Sequence, residues 1–142
     1  MRGNPGLAAE PFGGTTVLLV DDEARLRDIV EMMLEDLGAS VVVAGDGASA
    51  LEIFRHRAGE VGAVMLDLRL RGLDGLGVLA RLREIVPDVP VLITSGAVPD
   101  EEILAGIVSR GCSFIEKPFD VAGLGAALQA AIDGRPVVLR TS

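Results

Sequence analysis

The sequence predicts an α/β protein of one domain, a doubly wound five-stranded parallel sheet with helices on both faces. Two observations predict it. Short β-branched runs (Val17–Val20, Val41–Ala44, Val64–Leu66, Val91–Ile93) alternate with segments of helical period, the texture of a parallel sheet with crossover helices. The chain has 142 residues, enough for one core of ordinary size and not for two.

The elements follow in order. Met1–Thr15 is rich in Gly and Pro, lacks apolar periodicity and reads as a flexible leader or linker. Thr16–Val20 is the first strand. After Asp21-Asp22 a helix runs from Glu23 to Leu37, where Leu26, Ile29, Val30, Met33, Leu34 and Leu37 recur at spacings of three and four and Gly38 stops it. Met32 and Met33 both read as helix packing. Strand Ser40–Ala44 leads through Gly45-Asp46-Gly47, a turn whose spacing fits no phosphate-cradling loop, into a helix over Ala48–Ala58. Val61–Leu66 is the third strand, and the loop Leu68–Asp74 leads to a helix over Gly75–Ile85. Pro87 and Pro90 bracket the turn into strand Val91–Thr94. Pro99-Asp100-Glu101 opens the next helix, with acids in its first turn to meet the macrodipole, and Gly111 ends it. Strand Ser113–Glu116, Lys117-Pro118 and a helix over Val121–Ile132 complete a domain spanning 16–134. Residues 135–142 are expected to be a short tail, too short for another module.

Charge and composition exclude several function classes. With 21 acidic against 13 basic residues the net charge is -8, which repels nucleic acid phosphates, and four Phe with no Trp or Tyr offer little base-stacking surface. No apolar run approaches the roughly 18 residues of a membrane span, and no secretory pattern opens the chain, so a cytoplasmic location is expected. Cys112 is the only cysteine, which leaves no intramolecular disulfide or cysteine-based zinc site; it reads as a small apolar filler. His56, between Arg55 and Arg57, reads as part of a solvated face.

Sheets of this kind bind ligands beyond the carboxyl ends of their strands. There the sequence places Asp21-Asp22, Asp67, Ser95-Gly96 and Lys117-Pro118. Taken alone, Asp22 reads as a helix cap, Ser95 as a turn and Lys117 as a solvated charge. Their coincidence on one rim points instead to a site. Two carboxylates ~4 Å apart at an effective dielectric of ~20 repel by about 4 kcal/mol, a cost that a hard divalent cation removes. Metal, ammonium and hydroxyl around one further carboxylate suit phosphoryl transfer, and Asp67, at the end of the central strand of the cluster, is the expected nucleophile.

The pattern Val-Leu-Leu-Val-Asp21-Asp22-Glu23, Met-Leu-Asp67, Gly-Leu-Asp-Gly75, Ile-Thr-Ser95-Gly96 and Phe114-Ile-Glu-Lys117-Pro118-Phe119 resembles the receiver domain of response regulators over about Thr16–Gly134. The resemblance implies the flavodoxin-like (βα)5 fold with strand order 2-1-3-4-5. It implies that Asp67 accepts a phosphoryl group from a phosphohistidine on a cognate histidine kinase or histidine phosphotransfer protein. It further implies Mg²⁺ held directly by Asp22, Asp67 and the backbone carbonyl of Arg69, with Asp21 acting mainly through bound water. Lys117 would pair with Asp67 and precede a cis Pro118. Ser95 would be the switch hydroxyl, and Phe114 would rotate inward when Ser95 moves. The face made by the helix after Ser95, strand five and the last helix would then change its affinity for a downstream protein effector, or for a second copy in a phosphorylation-dependent dimer.

Two positions depart from the commonest family pattern: Arg71 stands where the loop usually has Pro, and Phe114 replaces a frequent Tyr. The resemblance further implies that Arg69 and Ala97 flank the path of attacking water. A phosphoacceptor without separate enzyme activity or an output domain of its own is the leading expectation; the receiver portion of a hybrid histidine kinase is the alternative. Two further classes are a partner-binding pseudo-receiver, disfavoured by the filled site, and an aspartyl-phosphate hydrolase, disfavoured because Arg69 stands where the second Asp of its signature belongs.

Overall fold

A computed structural model describes residues 11–72 and 74–141. Its elements are β1 (Thr16–Val20), α1 (Ala24–Asp36), β2 (Ser40–Ala44), α2 (Gly47–Arg57), β3 (Ala63–Asp67), α3 (Gly75–Ile85), β4 (Val91–Ser95), α4 (Glu101–Ser109), β5 (Ser113–Glu116), α5 (Val121–Ile132) and β6 (Val138–Leu139), with a 3₁₀ turn at Ala58–Glu60. All strand pairings are parallel, and the order is β2-β1-β3-β4-β5-β6.

Side-chain alternation along the strands feeds two cores. Leu18, Val20, Val64, Leu66, Val91, Ile93 and Phe114 point to one face, where Phe54 of α2, Leu79 and Leu82 of α3, and Leu104 and Ile107 of α4 cover them. Val17, Leu19, Ala63, Met65, Leu92 and Ile115 point to the other, covered by Val30 and Leu34 of α1 and Leu124, Ala127 and Leu128 of α5. Period-2 strands between period-3.6 helices give this double burial directly. Four helices begin at an Asp whose carboxylate accepts the amide three residues on: Asp46 from Ser49, Asp74 from Gly77, Asp100 from Ile103 and Asp120 from Gly123. Each such cap contributes roughly 1 kcal/mol.

The structure corrects several expectations. The sheet has six strands, not five: Val138 and Leu139 pair with Phe114 and Ile115. Two residues carry no readable periodicity, and the strand exists because β5 offers an edge. The tail therefore belongs to the sheet. β3 begins at Ala63, because Val61 closes the 3₁₀ turn and the Gly62 amide donates to the Thr16 carbonyl at 2.8 Å. Met33 packs on the core but Met32 is 65% exposed, and Ile29, expected in the buried stripe, is 51% exposed. Met1–Glu10 of the expected leader lie outside the described residues, but Phe12 is only 2% exposed, and its amide donates to the Leu37 carbonyl at 3.0 Å. Burying one Phe is worth about 2–3 kcal/mol, so packing of the domain starts before residue 16.

Cys112 is buried as a filler, its thiol raised by burial against the opposing charges of Arg83 and Arg110. His56 is exposed beside Glu52. No helix among the described residues is long and apolar enough to cross a membrane.

Candidate functional site

The carboxyl ends of β1, β3, β4 and β5 meet at one rim. Asp21 follows the last residue of β1, Asp67 ends β3, Ser95 ends β4, and Lys117 follows β5. The parallel register aligns these ends, pairing Val20 with Leu66, Asp67 with Thr94 and Ser95 with Glu116. The sheet thus brings together side chains up to 96 residues apart.

Asp21 and Asp67 are buried, at 3% and 7% exposure, and Asp22 is half-buried. One oxygen from each of the three carboxylates lies within 4.8 Å of the others. Lys117 Nζ donates to Asp67 Oδ2 at 2.8 Å and to Asp21 Oδ2 at 3.2 Å, bridging two carboxylates rather than pairing with Asp67 alone. Three further oxygens take backbone donors. The Arg69 amide reaches Asp67 Oδ1 at 3.0 Å, the Glu23 amide Asp21 Oδ1 at 2.9 Å, and the Arg71 amide Asp22 Oδ2 at 3.2 Å. Asp22 is not a helix cap: Glu23 occupies that position at α1, without a side-chain hydrogen bond. Arg27 steadies the corner, donating to the Asp21 carbonyl at 2.8 Å. The Arg71 guanidinium lies 3.9 Å from Asp22 and is 89% exposed, a weak pair.

Three carboxylates with one ammonium leave two negative charges in a half-enclosed corner. This donor set, hard oxygens only, could hold a divalent cation. Burial pushes the Asp67 carboxyl above its ordinary range, and the nearby Asp21 charge adds to that, while Lys117 and the Arg69 amide oppose it. Burial alone would lower the Lys117 ammonium, but the bonds and charges of Asp67 and Asp21 outweigh it and hold the group above the ordinary lysine value.

The sign of the resulting pH dependence is fixed. A carboxyl raised in the folded state costs stability as pH climbs from its unfolded value, about 3.9, through the raised one. Asp67→Asn, neutral and nearly isosteric, is therefore expected to melt above the parent at neutral pH. That gain should shrink towards zero near pH 4; a gain that stays constant between pH 4 and 7 would contradict the assignment. Lys117 acts oppositely: its contribution is complete below the ordinary lysine value and disappears as pH rises through the raised one.

Ser95 is 1% exposed, and its hydroxyl accepts the Ala97 amide at 3.3 Å while its carbonyl accepts the Lys117 amide at 2.8 Å. Among the described residues no hydrogen bond joins Ser95 to Asp67. Thr94, adjacent in the sheet to Asp67, is also buried. Phe114 is fully buried in the core. The Lys117–Pro118 peptide bond is cis. The amide of Arg69 donates to Asp67.

Gly75 was legible in the sequence only as part of a motif. It starts α3 with its amide on the Leu68 carbonyl at 2.9 Å, and a Cβ there would fall on the Asp67 carbonyl oxygen. The close approach of α3 to the end of β3 sets where Asp67 stands.

The model of the response regulator receiver domain family matches residues 17–129. The Mycobacterium tuberculosis protein TcrX is 37% identical over 117 residues, covering 82% of this chain and 49% of TcrX. The transcriptional regulatory protein CseB of Streptomyces coelicolor is 34% identical over 118 residues, covering 83% of this chain and 49% of CseB. The chain thus spans about half the length of these relatives. Among solved structures, the receiver domain of NtrX from Brucella abortus superposes with a TM-score of 0.73 at 37% identity, over 82% of this chain and 98% of that one. A receiver domain protein from Clostridium thermocellum gives 0.75 at 27% identity, over 84% and 94%.

Proposed function

From the premise that this chain belongs to the response regulator receiver family, we propose that Asp67 accepts a phosphoryl group from a phosphohistidine of a kinase or phosphotransfer protein and passes the change to a protein effector. The observation that carries the reading is the Asp67 carboxylate, buried between two other carboxylates and held by Lys117 at 2.8 Å.

The chemistry is a displacement at phosphorus. An Asp67 oxygen forms the new O–P bond, the P–N bond of the donor breaks, and its electron pair returns to the imidazole nitrogen. Lys117 sits where its ammonium can neutralise oxygens of the incoming group, and its bonds to Asp21 and Asp67 hold it there before the donor arrives. The Arg69 amide orients the Asp67 carboxylate. Asp22 and Asp67, with the Arg69 carbonyl and with Asp21 acting through water, would hold Mg²⁺. A bound Mg²⁺ supplies charge neutralisation for the phosphoryl oxygens. Ser95, one residue beyond the sheet neighbour of Asp67, is positioned to answer the new charge through its hydroxyl and through the Lys117 amide. This assigns the chain acceptor chemistry rather than turnover of a free substrate, and a cytoplasmic place.

The test is labelling by acetyl phosphate with Mg²⁺, with the label mapped to Asp67. Metal binding has its own readout. Asp22→Asn keeps an oxygen for the Arg71 amide but removes one charge from the cluster, which should raise metal-free stability by on the order of 1 kcal/mol, about 3 °C. Millimolar Mg²⁺ should raise the melting temperature of the parent and barely move the variant. Equal Mg²⁺ responses in both proteins would remove Asp22 from the metal site.

A further inference from the structure

The charge of Arg27 is directed at a backbone atom. Arg27 stands in the first turn of α1, half-buried, and its Nη1 donates to the Asp21 carbonyl at 2.8 Å. Among the described residues it forms no ion pair, although three carboxylates meet at the same rim.

The Asp21 carbonyl needs that donor. Asp21 is 3% exposed; its amide donates to the Ala44 carbonyl at 3.2 Å, and its carboxylate accepts from the Glu23 amide and from Lys117. Among the described residues only Arg27 donates to its carbonyl. A buried carbonyl that loses its one partner is costly, and turning it towards water relieves the cost. This carbonyl belongs to the peptide that joins Asp21 to Asp22, so its rotation moves both acids.

The guanidinium lies where Gly45 leaves room. A Cβ on Gly45, just after β2, would come 3.2 Å from Nη1 and 3.9 Å from Cζ of Arg27. Gly45 is not among the glycines with positive φ, so the backbone there would accept another residue. The missing side chain makes space for the guanidinium rather than for the turn.

We propose that Arg27 is a positioning residue for the metal site, holding the Asp21–Asp22 peptide so that both carboxylates converge with Asp67, and that Gly45 keeps its slot open. This rests on the reading of the three acids as a Mg²⁺ site and adds the residues that set their geometry. The sign of the effect separates positioning from charge. A cation at Asp21 repels a second cation, so removing a guanidinium that acted through charge alone would tighten Mg²⁺ binding. Removing one that orients the ligands weakens it, as with outer-shell partners of metal sites generally.

Mg²⁺ titration of the full chain without a phosphodonor, followed at the Glu23 and Arg69 amide resonances, tests this. Arg27→Met keeps the apolar stem and loses the donor, and its Mg²⁺ dissociation constant should rise about tenfold. Gly45→Ala keeps the charge but pushes the guanidinium aside, and should raise the constant by a smaller factor. Its metal-free melting temperature should hold or rise, because Ala at a compatible φ restricts the unfolded chain. In the double variant the Gly45 change should add nothing, since the group it displaces is gone. Unchanged or tighter binding in Arg27→Met would overturn the positioning role. Unchanged binding in Gly45→Ala, or an additive effect in the double variant, would overturn the slot. Should Arg27→Met fail to fold, Gly45→Ala decides alone, and unchanged affinity there overturns the whole proposal. No Mg²⁺ response in the parent would overturn the metal reading and the proposal with it.

Discussion

Replacing Asp67 with Asn is expected to abolish phosphoryl uptake from acetyl phosphate, a loss of more than about a thousandfold, as removal of a nucleophile commonly gives. The amide keeps the shape of the carboxylate and can still accept the Arg69 amide, but it has no anionic oxygen to form the O–P bond. The other two acids are poor substitutes. Both Asp21 oxygens are engaged, by Glu23 and Lys117, at 3% exposure. Asp22 sits nearer the opening, and among the described residues its one ion-pair partner is the exposed Arg71 at 3.9 Å. The variant should fold, because it relieves charge in a buried corner, so lost labelling would report chemistry rather than unfolding. A label that persists at the parent's rate, or that reappears on Asp22, would transfer the nucleophile's role away from Asp67. Labelling of the parent that is stable to hydroxylamine would show that the product is not an acyl phosphate at all.

Much of this site was legible because it depends on rules that one chain displays by itself. β-branched runs mark parallel strands, ligands gather at their carboxyl ends, and Asp21, Asp22, Asp67, Ser95 and Lys117 stand there. What stayed hidden depends on tertiary approach. Lys117 was expected to pair with Asp67, but its second bond, to Asp21, follows from how closely β1 and β3 bring two acids together. Phe12 lies in a stretch whose glycines and prolines mask one buried anchor. β6 is too short to show a period, and only the geometry of β5 explains it. Met32 and Met33 are chemically identical, and a rotation of 100° along α1 decides which of them meets the core. The burial of Phe114 likewise depends on the filling of the face it joins, which includes Val138 from the strand that the sequence did not show.

Gly75→Ala is the substitution expected to damage the fold most among changes of a single methyl group. Its Cβ would fall on the Asp67 carbonyl oxygen and lie 2.8 Å from Leu68 Cα and 3.0 Å from the Leu68 oxygen. All of these are backbone atoms, so no side chain can rotate aside; either α3 or the end of β3 must move. Overpacking of this kind costs about 1–3 kcal/mol, and the gain in helix propensity, up to ~1 kcal/mol, offsets only part of it. The melting temperature should drop by roughly 5 °C. The chemical effect should be larger than the thermal one, because the displaced residues are Asp67 itself and the turn whose Arg69 amide orients it. A misplacement near 1 Å can cost about a hundredfold in rate, and labelling should slow by that order. Gly125→Ala provides the contrast. Its Cβ would meet Leu37 at 3.5 Å, an ordinary contact, inside α5 and away from the rim, so stability should hold or rise and labelling should not change. If the two variants behave alike, the clash at Gly75 is relieved without moving Asp67, and the glycine's place at the start of α3 has no bearing on the acceptor's position.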